Sequence, residues 1–129
     1  MRLAVQFEAD RYFALAAQND PAAATLGTAI VARGERDKSF ATLLEVSDGL
    51  LDADRALPKP DLNLALRAAE GANRLTGGVR TSALASLARV HAARGDKAQA
   101  IELMTKAVEN APESVKARYQ KELDALKSG

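Results

Sequence analysis

One histidine, His91, and no cysteine stand among the 129 residues. The missing thiols exclude a disulfide scaffold, a thiol nucleophile, thiolate zinc sites and iron–sulfur clusters. His91 has the chemistry of a general base, but Ala88 and Ala92 flank it at helical spacing and no second histidine accompanies it, so it is expected to pack rather than react. Glu45, Asp48, Asp52 and Asp54 form a dense acidic stretch of a kind that can attract a cation. It lacks the glycine and the terminal glutamate of a calcium loop, and the expectation is a solvated ridge or a partner-facing patch. Gly77-Gly78 opens onto a helical pattern with no preceding strand and no following lysine, which argues against a phosphate cradle. Basic residues gather late in the chain: residues 1–64 hold 7 basic and 10 acidic groups, residues 65–129 hold 11 and 7. Arg67, Arg74, Arg80, Arg89, Arg94 and Lys97 therefore predict a mild basic surface, but no aromatics interleave with them and nucleic acid is not expected as a partner. No convergent set of titratable groups can be assembled, so the chain is expected to be non-catalytic, with no cofactor and no metal site.

The elements that position these residues follow from composition and periodicity. Of the residues, 47% are apolar, 28 are alanine, five are aromatic and none is tryptophan, and the net charge is +1. That is enough chain for one domain, burying about two thirds of its unfolded surface. No apolar run approaches the ~18 residues that span a bilayer, so membrane insertion is not expected. Helical patterning begins at once, from Met1 through Phe7 to Tyr12-Phe13, without the apolar core or cleavage site of a secretory leader. Two readings of this start stand side by side: a cytoplasmic chain as it is written, or a domain cut from a longer protein.

Apolar residues recur at i, i+3, i+4 and i+7, and alternating β-branched runs are absent, so the fold class is all-α. Chemical markers predict seven helices, at about 3–17, 21–33, 37–53, 62–75, 81–93, 97–110 and 113–127. Asp20-Pro21 supplies a start and Gly34 an end for the second, and the third begins near Asp37. Leu57-Pro58-Lys59-Pro60 breaks the chain before Asp61 caps the fourth. Gly77-Gly78 reverses it, Asp96 with Gln99 has the spacing of a capping box, and Pro112 suits a first turn.

Residues 81–114 read as helix, Gly-Asp turn, helix and proline over 34 residues, and this segment resembles a tetratricopeptide repeat (TPR). Leu84, Leu87, Ala88, His91, Ala100, Met104 and Pro112 occupy the spaced positions of that pattern, with Leu84, Ala88, His91 and Met104 departing from its usual residues. A degenerate copy lies 35 residues earlier, where Asp61, Ala65, Leu66 and Ala72 fall under Asp96, Ala100, Ile101 and Ala107. The resemblance implies a right-handed superhelix of three antiparallel helix pairs, at about 3–33, 37–75 and 81–110, with a polar cap at 113–127. It also implies a protein or peptide partner on the concave face formed by the first helix of each pair. By register that face carries Ser82, Ala85, Arg89 and Ala92, with Phe7 and Arg11 as equivalents in the first pair. Ser82 and Ser86 stand where one TPR subclass has basic residues that clamp a C-terminal carboxylate, so that ligand is not expected. The long loop, the segment LRAAEGANRLTGG and the charged last helix are similar to TPR-like tails of bacterial thioredoxin-family proteins, although Ser47-Asp48 replaces the Ala-Trp pair common in those tails. That likeness implies an accessory, non-redox domain and a periplasmic setting. Leu3, Val5 and Phe7 mark an open N-terminal end that could support a homodimer.

Overall fold

The computed structural model describes residues 2–129, with side chains from Glu8 onward, so the expectations placed on Leu3, Val5 and Phe7 lie outside the described side chains. The protein is all-α: seven helices, α1 (Arg2–Ala17), α2 (Ala22–Arg36), α3 (Phe40–Leu50), α4 (Leu62–Leu75), α5 (Thr81–Ala93), α6 (Lys97–Asn110) and α7 (Glu113–Ser128), and no strand among the described residues.

Local chemistry sets most of the helix ends. Asp61 and Asp96 sit outside the first turns of α4 and α6, and their carboxylates accept the Leu64 and Gln99 amides at 3.0 and 3.2 Å. Only half of the expected box forms at Asp96, because the Asp96 amide donates to the His91 carbonyl. Gly77 and Gly78 turn the chain after α4 with φ of +76° and +75°, conformations open to glycine at little cost.

The end of α2 and both ends of α3 differ from the sequence expectation. Gly34 does not terminate α2, which continues to Arg36; Gly34 is buried, and a Cβ on it would lie 3.0 Å from Leu43 Cδ2. The reversal after α2 falls instead on Lys38, at φ 55°. The cap of α3 is Ser39 rather than Asp37, with Ser39 Oγ accepting the Thr42 amide, and α3 stops at Leu50.

Each helix packs on the next in sequence, and α1 also meets α3, α2 meets α4, and α3 meets α5. Two apolar clusters result. The larger includes Tyr12, Phe13, Ile30, Val31, Leu43, Val46 and Leu64 from α1 to α4; the smaller joins Leu84, Met104, Tyr119 and Leu123 of α5, α6 and α7. The wall between them is α5, which gives Ala83, Leu87 and Val90 to one cluster and Leu84, Ala85 and Ala88 to the other. Apolar side chains on both faces, alanines among them, allow it to be packed from two sides.

Close approach at two glycines fixes how α1 docks. A Cβ on Gly27 would lie 2.5 Å from Tyr12 Cε1, and one on Gly49 would lie 2.2 Å from Phe13 Cζ. Both rings are almost wholly enclosed and lie 5.1 Å apart, centroid to centroid.

Burial, helped by the nearby Asp61 carboxylate, pushes the Tyr12 phenol up to about 12. An unfolded tyrosine ionises near about 10, so the unfolded chain gives up this proton first. The stabilisation is complete below pH ~10 and is lost as pH rises toward about 12. Urea midpoints taken between these limits are expected to fall, and Tyr12→Phe is expected to flatten the decline; an unchanged slope in the variant refutes the assignment.

Candidate functional site

The middle of α5 carries the densest polar arrangement. Arg89 binds Glu122 of α7 through two hydrogen bonds, Nε to Oε2 and Nη2 to Oε1, each 2.7 Å. Its Nη1 lies 3.8 Å from Asp48 Oδ1 on α3, and Ser86 Oγ donates to that same oxygen at 2.6 Å. One guanidinium and one hydroxyl of α5 thus tie together α3 and α7, helices that flank it on opposite sides in sequence. Hydrogen bonding to Glu122 raises the Arg89 pKa against the opposing effect of burial, with Glu122 and Asp48 adding attraction, so the guanidinium keeps its charge throughout the working pH range.

Arg89 and Glu122 edge a cavity of about 280 Å³. Leu51, Ala92, Ala93, Met104 and Leu126 give it apolar walls, and Arg89 and Glu122 form its polar side. Asp48 is not among the residues that line the cavity, so its polar side is the charge-balanced Arg89–Glu122 pair. Such a cavity can take an apolar side chain whose neighbour offers a hydrogen-bonding group. No group within it is arranged as a nucleophile beside a base.

Of the six residues expected on the concave face, the structure brings Arg89 and Ala92 together in this cavity. Ser82 lines a different one, at the start of α5. Ala85 is fully enclosed in the smaller apolar cluster, where a ligand does not reach it. Arg11 is an exposed residue of α1, and the side chain of Phe7 lies outside the described residues. Glu122, Leu51 and Leu126 were not anticipated as site residues. Leu126 falls on the apolar stripe of α7, but nothing local links Glu122 to Arg89, 33 residues earlier.

The remaining polar candidates have structural surroundings. His91 is largely buried, with Nδ1 3.7 Å from Asp96 Oδ2. Asp48 is engaged by α5, and Asp52 accepts the Asp54 amide at 2.9 Å, so the acidic stretch is divided between two tasks. Among the described residues no group of three or more His, Asp or Glu side chains is placed to hold a metal ion. No described helix is long and apolar enough to cross a membrane.

Several arginines expected on a basic surface lace helices together instead. Arg67 binds Glu35 across α4 and α2 at 3.0 and 2.6 Å, and Arg94 Nη1 reaches Asn63 Oδ1 at 2.6 Å. The Arg67 hydrogen bonds hold the Glu35 carboxyl below its ordinary range, against a smaller opposing effect of burial. Comparison of the chain with protein-family models, with curated proteins and with solved structures yields no match.

Proposed function

We propose that the protein is a non-catalytic interaction module, a TPR-like stack of three helix pairs and a cap, which holds a short peptide or helix of a protein partner against the middle of α5. The cavity beside Arg89 carries this reading. It combines an apolar floor with a fixed, partly charged edge, on the first helix of the pair whose sequence most resembles a TPR. The paired guanidinium and carboxylate at that edge suit a partner segment with a polar, hydrogen-bonding residue next to an apolar one.

Repetition along the chain supports the stacked-pair reading. Asp61 and Asp96, 35 residues apart, both cap with an acceptor bond to the third residue beyond them. The positions aligned by that step share their environments: Ala65 and Ala100 are fully buried, as are Ala72 and Ala107, while Leu66 and Ile101 are each half-buried. Between α5 and α6 the tight turn passes through Gly95 at φ +88°.

Affinity capture from extracts of the source cells, read by mass spectrometry, tests the assignment. Ala93 is exposed and lines the cavity, so Ala93→Glu adds charge there while leaving the apolar clusters intact. A partner retained by the wild type is expected to be lost at least about tenfold by the variant, with unchanged helicity. Equal recovery by both proteins rules out this face.

A further inference from the structure

A second cavity, of about 360 Å³, opens between the start of α5 and the start of α7, and Arg80 and Arg118 both line it. Their situation differs from that of the arginines described above. Arg67 and Arg89 are each bound to a carboxylate, whereas Arg80 and Arg118 form no ion pair among the described residues. Aromatic rings set their positions instead. The Arg80 guanidinium lies 4.6 Å from the Phe40 ring centroid, and that of Arg118 lies 5.0 Å from the Tyr119 centroid while donating to the Tyr119 hydroxyl at 3.2 Å.

No acidic side chain lines the cavity. Two arginines thus line one concave space that no carboxylate lines, and an anion entering it would find no acidic group to repel it. Ser82 adds a hydroxyl, and the first turn of α5 has neither a side-chain cap nor an acidic residue, so its amide donors add to the positive field. The rim is apolar: Val79 is 58% exposed, and Val115 lies in the wall.

We propose that this cavity binds a small organic oxyanion, a phosphate monoester or a carboxylate carried on a short aliphatic group, with Arg80 and Arg118 holding the oxygens and Val79 meeting the aliphatic part. Guanidinium forks match both oxyanions in a bidentate manner, which is why the two share one site chemistry. The site lies at the opposite end of α5 from the Arg89 cavity and does not depend on the partner-binding role assigned there.

Titration of the full chain with isobutyl phosphate, with isovalerate and with neutral isobutanol, followed by amide and arginine side-chain NMR shifts, tests the proposal. Saturable shifts over Thr81–Ala83 are expected with at least one of the oxyanions and not with isobutanol, and the preferred oxyanion identifies the ligand class. Arg80→Gln combined with Arg118→Gln is expected to weaken binding by at least about tenfold, and raising salt from about 0.05 to 0.5 M to weaken it as well. Because both side chains are exposed, the variant is expected to keep its helical signal. Equal shifts with isobutanol, undiminished affinity in the double variant, or no saturable shift with either anion overturns it.

Discussion

Replacing Gly49 by alanine is expected to lower stability by about 2–3 kcal/mol and the thermal midpoint by about 10 °C. At an ordinary helical position the same change is favourable by ~1 kcal/mol, because glycine loses more backbone entropy on folding. Gly49 lies within α3, so that gain is present and must be outweighed. The opposing effect is steric. The new Cβ would lie 2.2 Å from Phe13 Cζ and 2.8 Å from Cε1 and Cε2. Phe13 has little room to move away, since it is 3% exposed, leans on Tyr12, and is covered by the Arg55 guanidinium 4.0 Å from its centroid. Gly34→Ala is the matched control: its Cβ meets the flexible end of Leu43 at 3.0 Å, and the helix gain roughly balances the contact, for a change within about 1 kcal/mol. Denaturant midpoints for the two variants check the contrast. If Gly49→Ala is as stable as the wild type, Phe13 is not confined as described. Adding Phe13→Leu is expected to recover part of the loss, because the two positions touch and their effects do not add.

The second large effect concerns what docks α7. The bidentate Arg89–Glu122 pair is the most visible link, yet both side chains remain more than a third exposed, at 37% and 36%. Water competes for such a pair and its net contribution is about 0–1 kcal/mol. Leu123 is 3% exposed within the smaller apolar cluster, and truncating a buried leucine costs about 2–5 kcal/mol through lost burial and the cavity left behind. Leu123→Ala is therefore expected to destabilise strongly, and Arg89→Met by about 1 kcal/mol or less. Urea titrations with hydrogen exchange across α7 distinguish the two; the reverse order would make the ion pair the principal attachment.

Features whose cause lies within four or five residues are legible along the chain. Asp61, Asp96 and Gly77-Gly78 act on the backbone next to them, and the structure places them as their chemistry demands. Gly34 shows where local reading stops. Glycine after a periodic segment has the form of a helix end, but here it clears space for Leu43 of the following helix. The displacement of the α3 cap from Asp37 to Ser39 has the same origin, since α2 runs on and shifts the turn.

The polar candidates were legible as residues and not as pairs. Arg67, Arg89 and Arg94 find hydrogen-bonded partners 31 to 33 residues away, a span over which periodicity carries no information about which side chain meets which. Ala85 shows the same limit on a helix face: repeat register puts it on the concave side, while packing of α5 from two directions encloses it.

The neighbour-to-neighbour packing of the helices bears on how quickly the native state is reached. When docking joins mainly adjacent or next-but-one helices, each step closes a short stretch of chain and loses little loop entropy. Assembly then needs no rare encounter between distant ends, and chains built this way fold on the order of microseconds to milliseconds. A nascent protein could begin to order α1 to α3 before α7 had been synthesised.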